Sequence, residues 1–325
     1  MTSQQFLKRI LGTLTIATLA VSILSVQALT ISPARAELTG DPGETVPGSF
    51  TLINALDTEQ TYYTSVENFE AQGETGTPNF TTSKEGLPSW VTVEQKITLK
   101  KGERLVVPYV VTIPKDADSG GHFGAIFLST VPPAAGEGQV SVGAKVGMLL
   151  FLKVTGAIKE QAGVSSFFLK DGDNVLTSVP VDFVYKFKND GNDRVKPEGE
   201  LVIKNIFGMK VSSVDVNKTK GDNVLPASTR RFDIRYGDVD APKVSAPFFE
   251  HVAFQKENFA IGMYTANLTL RFGNSGVTDA SLSYIMFPWQ LLSVTAGILL
   301  ITIILLVALI KHYNRWIIKQ ARKAQ

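Results

Sequence analysis

The chain has 325 residues, 44% of them hydrophobic, with 32 Lys and Arg against 30 Asp and Glu for a formal net charge of +2, and it contains no cysteine. The missing thiols exclude disulfides, thiol catalysis and thiolate metal sites, and favour a bacterial cell surface, where cores of sufficient size do without cross-links. Residues 29–287 hold 25 basic side chains against all 30 acidic ones, a net charge of −5; nucleic acid is therefore not an expected partner, because phosphate binding needs clustered positive charge.

Lys8 and Arg9 precede an apolar run over residues 10–24, and small or apolar residues lead to Ala28. A basic start, an apolar centre and small residues before a cut are the parts of a secretory signal peptide, so residues 1–28 are read as one, cleaved after Ala28. A second cut at Ala34–Ala36 and retention as a signal anchor are the alternatives, but the apolar run is short for a span of about 20 residues.

From residue 29 onward the pattern is strand-like. LTISPARAEL reads as a first strand, followed by FTLIN, TYYTSVENFEA, WVTVEQKITL, RLVVPYVVTI and FGAIFLST, all alternating or rich in β-branched and aromatic residues. Turn signals at Asp41-Pro42-Gly43, Lys101-Gly102 and Ser119-Gly120-Gly121 separate them. The Pro- and Gly-rich run 132–138 reads as a hairpin tip, after which a strand continues to Gly156. A second series follows, including PVDFVYKFKN, GELVIKNIF, TRRFDIRY and YTANLTLRFG. No helix of convincing length is predicted before the C-terminal end. Short strands at this spacing predict an all-β fold of two tandem Ig-like β-sandwich domains, over 29–157 and 158–284.

The two halves share an order of features. A strand ends in Asn54 or Asn189, a later turn precedes RLVVPYVVTIP or TRRFDIRY, and G-H-F-G-A-I-F at Gly121 or G-M-Y-T-A-N-L at Gly262 follows. In the shared form the aromatic, small and apolar residues fall on one strand face, which is expected to fill the space between sheets.

Between Asp279 and Lys311 there is no charged residue. The apolar stretch predicts one transmembrane α-helix over 285–310, entering near Trp289 and ending near Ile310, long enough for a hydrocarbon layer of about 30 Å. Aromatic Trp289 and Trp316 suit the two interfaces, and the tail 311–325 carries Lys311, Arg315 and Lys319 with no acid. The positive-inside rule places that tail in the cytoplasm and the bulk of the chain outside, on a single-pass cell-membrane protein with the lipid bilayer as a partner.

Chemistry is sparse. His122, His251 and His312 are the only histidines, and no nucleophile elbow, zinc-binding helix or phosphate loop is present, so no enzyme, cofactor or metal site is expected. The acidic turns Asp171-Gly172-Asp173-Asn174 and Asp238-Val239-Asp240 lack calcium-loop spacing and read as ordinary turns. Trp90 reads as a core aromatic, with an exposed sugar or protein anchor as the alternative.

In layout the chain resembles bacterial surface proteins of the WxL-interacting type, most specifically in LTISPARAELTGDPGETVPGSFTLIN, IPKDADSGGHFGAIFLST and FKNDGNDRVKPEGELVIKNIFG. The resemblance implies a signal peptide, a peptidoglycan-binding Ig-like domain, a host-binding Ig-like domain, a membrane helix and a basic tail. Similar strands occur in Ig-like domains of the pilus-chaperone kind. The leading expectation is a non-catalytic surface protein binding cell-wall polymer or other surface proteins. The alternatives are a membrane-anchored assembly factor or chaperone pairing with edge strands of exported subunits, and a catalytic ectodomain. Missing strand pairing in the first domain would favour the assembly factor; a closed sandwich would weaken it.

Overall fold

A computed structural model describes residues 29–83, 85–132 and 145–323. The segment 1–28 and the predicted tip beyond Pro132 lie outside the described residues. The fold is mostly β, two Ig-like sandwiches followed by one long apolar helix. Contacts divide the chain into two units, one taking residues up to Phe69, Phe80–Asp118 and His122–Thr155, the other Gly156 onward together with Glu70–Asn79 and Ser119–Gly121.

The first sandwich uses β1 (Leu29–Ser32), β2 (Arg35–Gly40), β3 (Thr45–Asn54), β4 (Gln60–Gln72), β5 (Thr77–Thr81), the short α1 (Leu87–Trp90), β6 (Val91–Val93), β7 (Lys96–Leu99), β8 (Arg104–Thr112), β9 (Gly120–Ser129) and β10 (Lys145–Val154). One sheet has the order β1-β3-β8-β6 and the other β2-β10-β9-β4-β5, with β7 also on β4. The predicted first strand is divided between them. Pro33, which has no N–H to give a ladder, stands where the segment leaves one sheet for the other. β1 runs antiparallel to β3, and β2 runs parallel to β10. Phe50, Leu52, Ile126, Leu128, Leu150 and Leu152 fill the space between the sheets.

The second sandwich uses β11 (Ala162–Leu169), β12 (Val175–Leu176), β13 (Val181–Asn189), β14 (Glu198–Asn205), β15 (Lys210–Val216), β16 (Ser228–Tyr236), β17 (Gly262–Phe272) and β18 (Gly276–Met286), in sheets β11-β13-β16 and β12-β18-β17-β14-β15. Its connectivity repeats the first. β3–β8 and β13–β16 are equivalent antiparallel pairs, as are β4–β9 and β14–β17, and β12 runs parallel to β18 as β2 does to β10.

The repeated glycine motif occupies equivalent strands, but one residue out of step. Gly262 opens β17 at φ 102, and the first-half residue with matching backbone is Gly120 at φ 126, not Gly121. The core series in β17 is Ala266, Leu268 and Leu270; in β9 it is Ile126 and Leu128. Phe123, Ala125 and Phe127 therefore face outward, opposite to the expected filling role, because a shift of one residue exchanges the faces of a strand.

The strand-ending asparagines are the shared structural device. Asn54 is fully buried, and its amide nitrogen donates to the carbonyls of Thr58, Leu99 and Lys100 at 2.9, 3.2 and 3.1 Å while its oxygen accepts from Leu56 N–H at 3.1 Å. Asn189, also fully buried, donates to Asp193 and Val224 carbonyls at 2.8 and 2.9 Å and accepts from Gly191 N–H at 2.9 Å. Each side chain ties main-chain groups of a turn to those of a distant strand connection, although the Lys100 and Val224 carbonyls also accept backbone N–H groups from Glu103 and Val195.

Two helices complete the chain. α2 (Phe248–Glu257), not expected from the sequence, lies between β16 and β17, and α3 (Trp289–Lys323) follows β18 after two residues. FFEHVAFQKE spreads its apolar residues around the helix, so no periodic stripe marks it. Within α3 the stretch Trp289–Gln320 is long and apolar enough to cross a membrane.

Asn54→Ala and Asn189→Ala are each expected to lower stability by about 2–3 kcal/mol, the cost of losing several hydrogen bonds between the buried amide and the main chain. Chemical denaturation of the detergent-solubilised chain measures this, and a loss no larger than that of an exposed substitution such as Asn274→Ala would contradict it.

Candidate binding site

The histidines do not converge. His122 Nε2 donates to the Asp118 carbonyl at 2.8 Å, and its ring lies 4.6 Å from that of Trp90, which packs against the first core. His251 is on α2 and His312 on α3. Among the described residues no set of three His, Cys, Asp or Glu stands close enough to hold a metal. The acidic turns at Asp171–Asn174 and Asp238–Asp240 carry exposed carboxylates.

The distinctive feature of the first unit is an incomplete sheet edge beside an aromatic face. β2 covers β10 only from Leu149 to Val154. Lys145–Met148, the first part of β10, has no strand on that side among the described residues. Leu149 N–H donates to Ala34 O and Thr155 N–H to Gly40 O, both at 3.0 Å. Because main-chain groups alternate in direction along a strand, Lys145 and Gly147 aim theirs the same way, past the start of β2. β3 is open in a similar manner. β1 pairs with Thr51–Asn54 and leaves Thr45–Phe50 without an outer neighbour among the described residues, and Pro47 sits in that stretch, where a strand tolerates a missing donor.

The outer face of the β10 sheet carries the phenylalanines that the repeat places outside the core. Phe69 on β4, Phe80 on β5, Phe123 and Phe127 on β9 and Phe151 on β10 make a chain of mostly edge-on ring contacts, from 4.8 Å for Phe80–Phe127 to 5.9 Å for Phe69–Phe123. Such contacts add to burial because ring edges and faces carry opposite partial charge. Phe69 and Phe151 are each only 6% exposed, yet neither belongs to the core between the sheets. Gly147 makes this packing possible, since a β-carbon there would lie 2.6 Å from the Phe127 ring. Lys145 closes the cluster at the open edge. Its ammonium sits 5.4 Å from the centre of the Phe127 ring and 2.7 Å from Glu67, and Arg35 lies over Phe151 at 5.7 Å. The open main chain is thus flanked by an apolar platform with charges at its rim, which is what an added extended segment needs: main-chain partners and a surface for alternate side chains.

Clefts in the second unit include the following pair. One of about 610 Å³ lies between the 240–246 segment and α2, and one of about 350 Å³ lies between β15 and β16, over Tyr185 and Phe232 and rimmed by Asp215, Lys218, Asp222 and Arg231. The Tyr185 ring stacks on Phe232 at 4.7 Å, and its buried hydroxyl has no hydrogen-bond partner among the described residues. Burial, then the nearby Asp222 carboxylate, pushes the Tyr185 hydroxyl well above the usual tyrosine range, against a smaller opposing effect of Arg230. Tyr284 is raised as well, chiefly by burial. These features suit a packed interior rather than proton transfer.

Fold and edges define a tandem Ig-like β-sandwich protein with a C-terminal apolar helix. Neither a protein-family model nor a curated protein sequence matches the chain. Similar solved structures include the class 5 fimbriae chaperone CfaA, 11% identical with TM-score 0.38 over 80% of this chain and 99% of that one. The E. coli chaperone DraB is 13% identical with TM-score 0.35 over 78% and 95%. A Salmonella enterica SafA pilin in complex with the SafB chaperone gives 10% and TM-score 0.34 over 80% and 96%.

Tyrosines with raised pKa values favour the folded state fully while both states are protonated, below about pH 10; as pH rises further the unfolded chain ionises first and stability falls. Tyr185→Phe is therefore expected to be neutral within about 1 kcal/mol at pH 7 and to lessen the loss of stability at about pH 11. Urea midpoints at the two pH values test this; a variant that loses more stability than the parent at the alkaline pH would contradict it.

Proposed function

We propose that the chain is a non-catalytic, membrane-tethered ectodomain that takes extended segments of exported proteins by strand addition to the first sandwich, as an assembly factor or chaperone does. The observation that carries this reading is the main-chain edge at Lys145–Met148, which β2 does not reach, beside the phenylalanine face. Four residues of β10 span about 13 Å, room for a short ladder, with affinity added by side chains over Phe127 and Phe80. α3 supplies the tether. In this reading it enters the bilayer at Trp289 from outside and leaves near Ile310, with Trp316 at the inner interface and Lys311, Arg315 and Lys319 in the cytoplasm, where they meet anionic headgroups. The domain limits 29–157, 158–284 and 311–325 belong to the same proposal, with the span itself beginning at the helix start, Trp289.

The test compares Lys145→Pro with Lys145→Ala. Both remove the ammonium, but only proline removes the outward N–H, at a first strand position where it is tolerated. Detergent-solubilised chain, immobilised and exposed to envelope extracts, is expected to capture exported proteins, with the alanine variant retaining most of the capture and the proline variant losing several-fold more. Binding of purified peptidoglycan with no protein captured, or equal retention by the two variants, would overturn the strand-addition reading.

A further inference from the structure

We infer that the end of the second sandwich from which α3 departs is a lipid-contact surface, seated in the interfacial layer of the bilayer. The inference rests on α3 being a membrane span and concerns what surrounds its entry point.

Strand register brings the exposed apolar residues of several elements to this one end. Gly262 pairs with Met286, so β17 begins where β18 ends, and Asn205 pairs with Tyr264, so the β14–β15 turn lies at the same level. Phe207 at the tip of that turn is 81% exposed. Met263 pairs with Ile285, and Ile285 with Val175 on β12, which sets three exposed apolar side chains in a row across the outer sheet face. Phe259 and Ile261 approach β17 exposed, and Phe287 is exposed in the link to α3. Outside α3, Val277 is the exposed large hydrophobic of this unit that lies at the opposite end, where β18 begins.

α2 is fixed beside the same point. Gln255, 1% exposed, accepts a hydrogen bond from Leu291 N–H at 3.0 Å through Oε1 and donates to Gln290 Oε1 at 2.5 Å, while Phe248 and Trp289 lie 6.0 Å apart. Leu291 N–H is among the first-turn donors of α3 that no helical carbonyl can satisfy, so the amide both caps the span and holds α2 to it. Glu250, Ala253, Phe254 and Glu257 line the cleft against the 240–246 segment. Phe249 is left on another side, 72% exposed, with Lys256 in line two turns on. An exposed ring with a cation beside it suits the boundary between acyl chains and headgroups.

A bilayer, rather than a protein, is the occupant because of distance. Only Phe287 and Pro288 separate β18 from α3, a reach of at most about 7 Å. The headgroup layer on each side of the hydrocarbon is about 5–7 Å thick. If α3 enters hydrocarbon at its apolar start, the strand ends have no spacer to keep them clear of lipid, and their side chains are the apolar and aromatic kinds that partition there.

The native absence of cysteine allows a direct test on the full chain in phosphatidylcholine vesicles. Single-cysteine variants Phe207→Cys, Phe249→Cys, Val277→Cys and Leu299→Cys carry a nitroxide, and collision with oxygen and with a water-soluble nickel chelate is read for each. Val277 stands about 27 Å from Ile285 along β18 and reports the aqueous end. The expected result is oxygen-favoured labels at 299, 249 and 207, with nickel collision at 249 and 207 several-fold below that at 277. Nickel access at 249 and 207 equal to that at 277, with 299 still oxygen-favoured, overturns the inference while leaving the span intact. Protection of 249 and 207 from both reagents identifies a protein or second copy as the occupant and also overturns it. An aqueous label at 299 removes the span, and the lipid surface with it.

Discussion

Two buried amides decide how this chain is connected. A polar side chain in a sandwich interior costs free energy unless its hydrogen bonds are met, and Asn54 and Asn189 meet theirs chiefly with main-chain groups. Each stands at the end of the strand that pairs with β8 or β16, and each gathers its own following turn together with the segment leading into that partner strand. The strand crossing from one sheet to the next is thereby held at fixed length and direction. Replacement by an apolar side chain of similar volume would leave carbonyls and N–H groups stranded, which is why the same residue type recurs at both places.

With the interior so fixed, the edges become the variable part. One N-terminal segment has to serve two sheets, and it does so by changing sheets at Pro33. Among the described residues it covers Thr51–Asn54 of β3 and Leu149–Val154 of β10. Thr45–Phe50 of β3 and Lys145–Met148 of β10 are left without an outer strand among the described residues. Native proteins blunt such edges with charge, proline or coverage, and two of these are visible: Pro47 on the open part of β3 and Lys145 at the tip of β10. Yet Lys145 is folded back onto Glu67 and the Phe127 ring, so its charge lies over the sheet face, where it leaves the main chain less guarded than an extended lysine would.

Much of the architecture was legible because its causes are local. Alternation of apolar and polar residues marks strands, Asn54 and Asn189 mark strand ends, and an uncharged stretch from residue 280 to 310 marks a helix that can span lipid. The order of elements in the two halves was readable for the same reason. The outward phenylalanines were not. Matching Gly121 to Gly262 looked natural from the letters, but the backbone that needs glycine is at Gly120, and one residue is enough to turn Phe123 and Phe127 from core to surface. The signal was the doublet Gly120-Gly121, which left the register ambiguous. The open edge was hidden for a different reason: whether Lys145 has a neighbour depends on where a segment more than a hundred residues earlier runs out. α2 escaped because its phenylalanines do not form a stripe facing its own domain.

That last failure has a physical explanation that joins α2 to α3. A helix is expected to be amphipathic when one side meets a core and the other meets water. α2 meets three surroundings: the cleft on the side of Glu250 and Glu257, the base of α3 on the side of Gln255, and solvent or lipid at Phe249. Its buried residue is accordingly an amide, and its most exposed large hydrophobic residue a phenylalanine, the reverse of the usual assignment. The inversion is consistent once the first turn of α3 is considered. Donors at the start of a membrane helix lie where water becomes scarce, and an unsatisfied N–H there costs several kcal/mol. A side chain held by a neighbouring helix meets that need, and if α3 spans lipid as proposed, the helix that carries this side chain lies at the depth where a phenylalanine is better placed in lipid than in water.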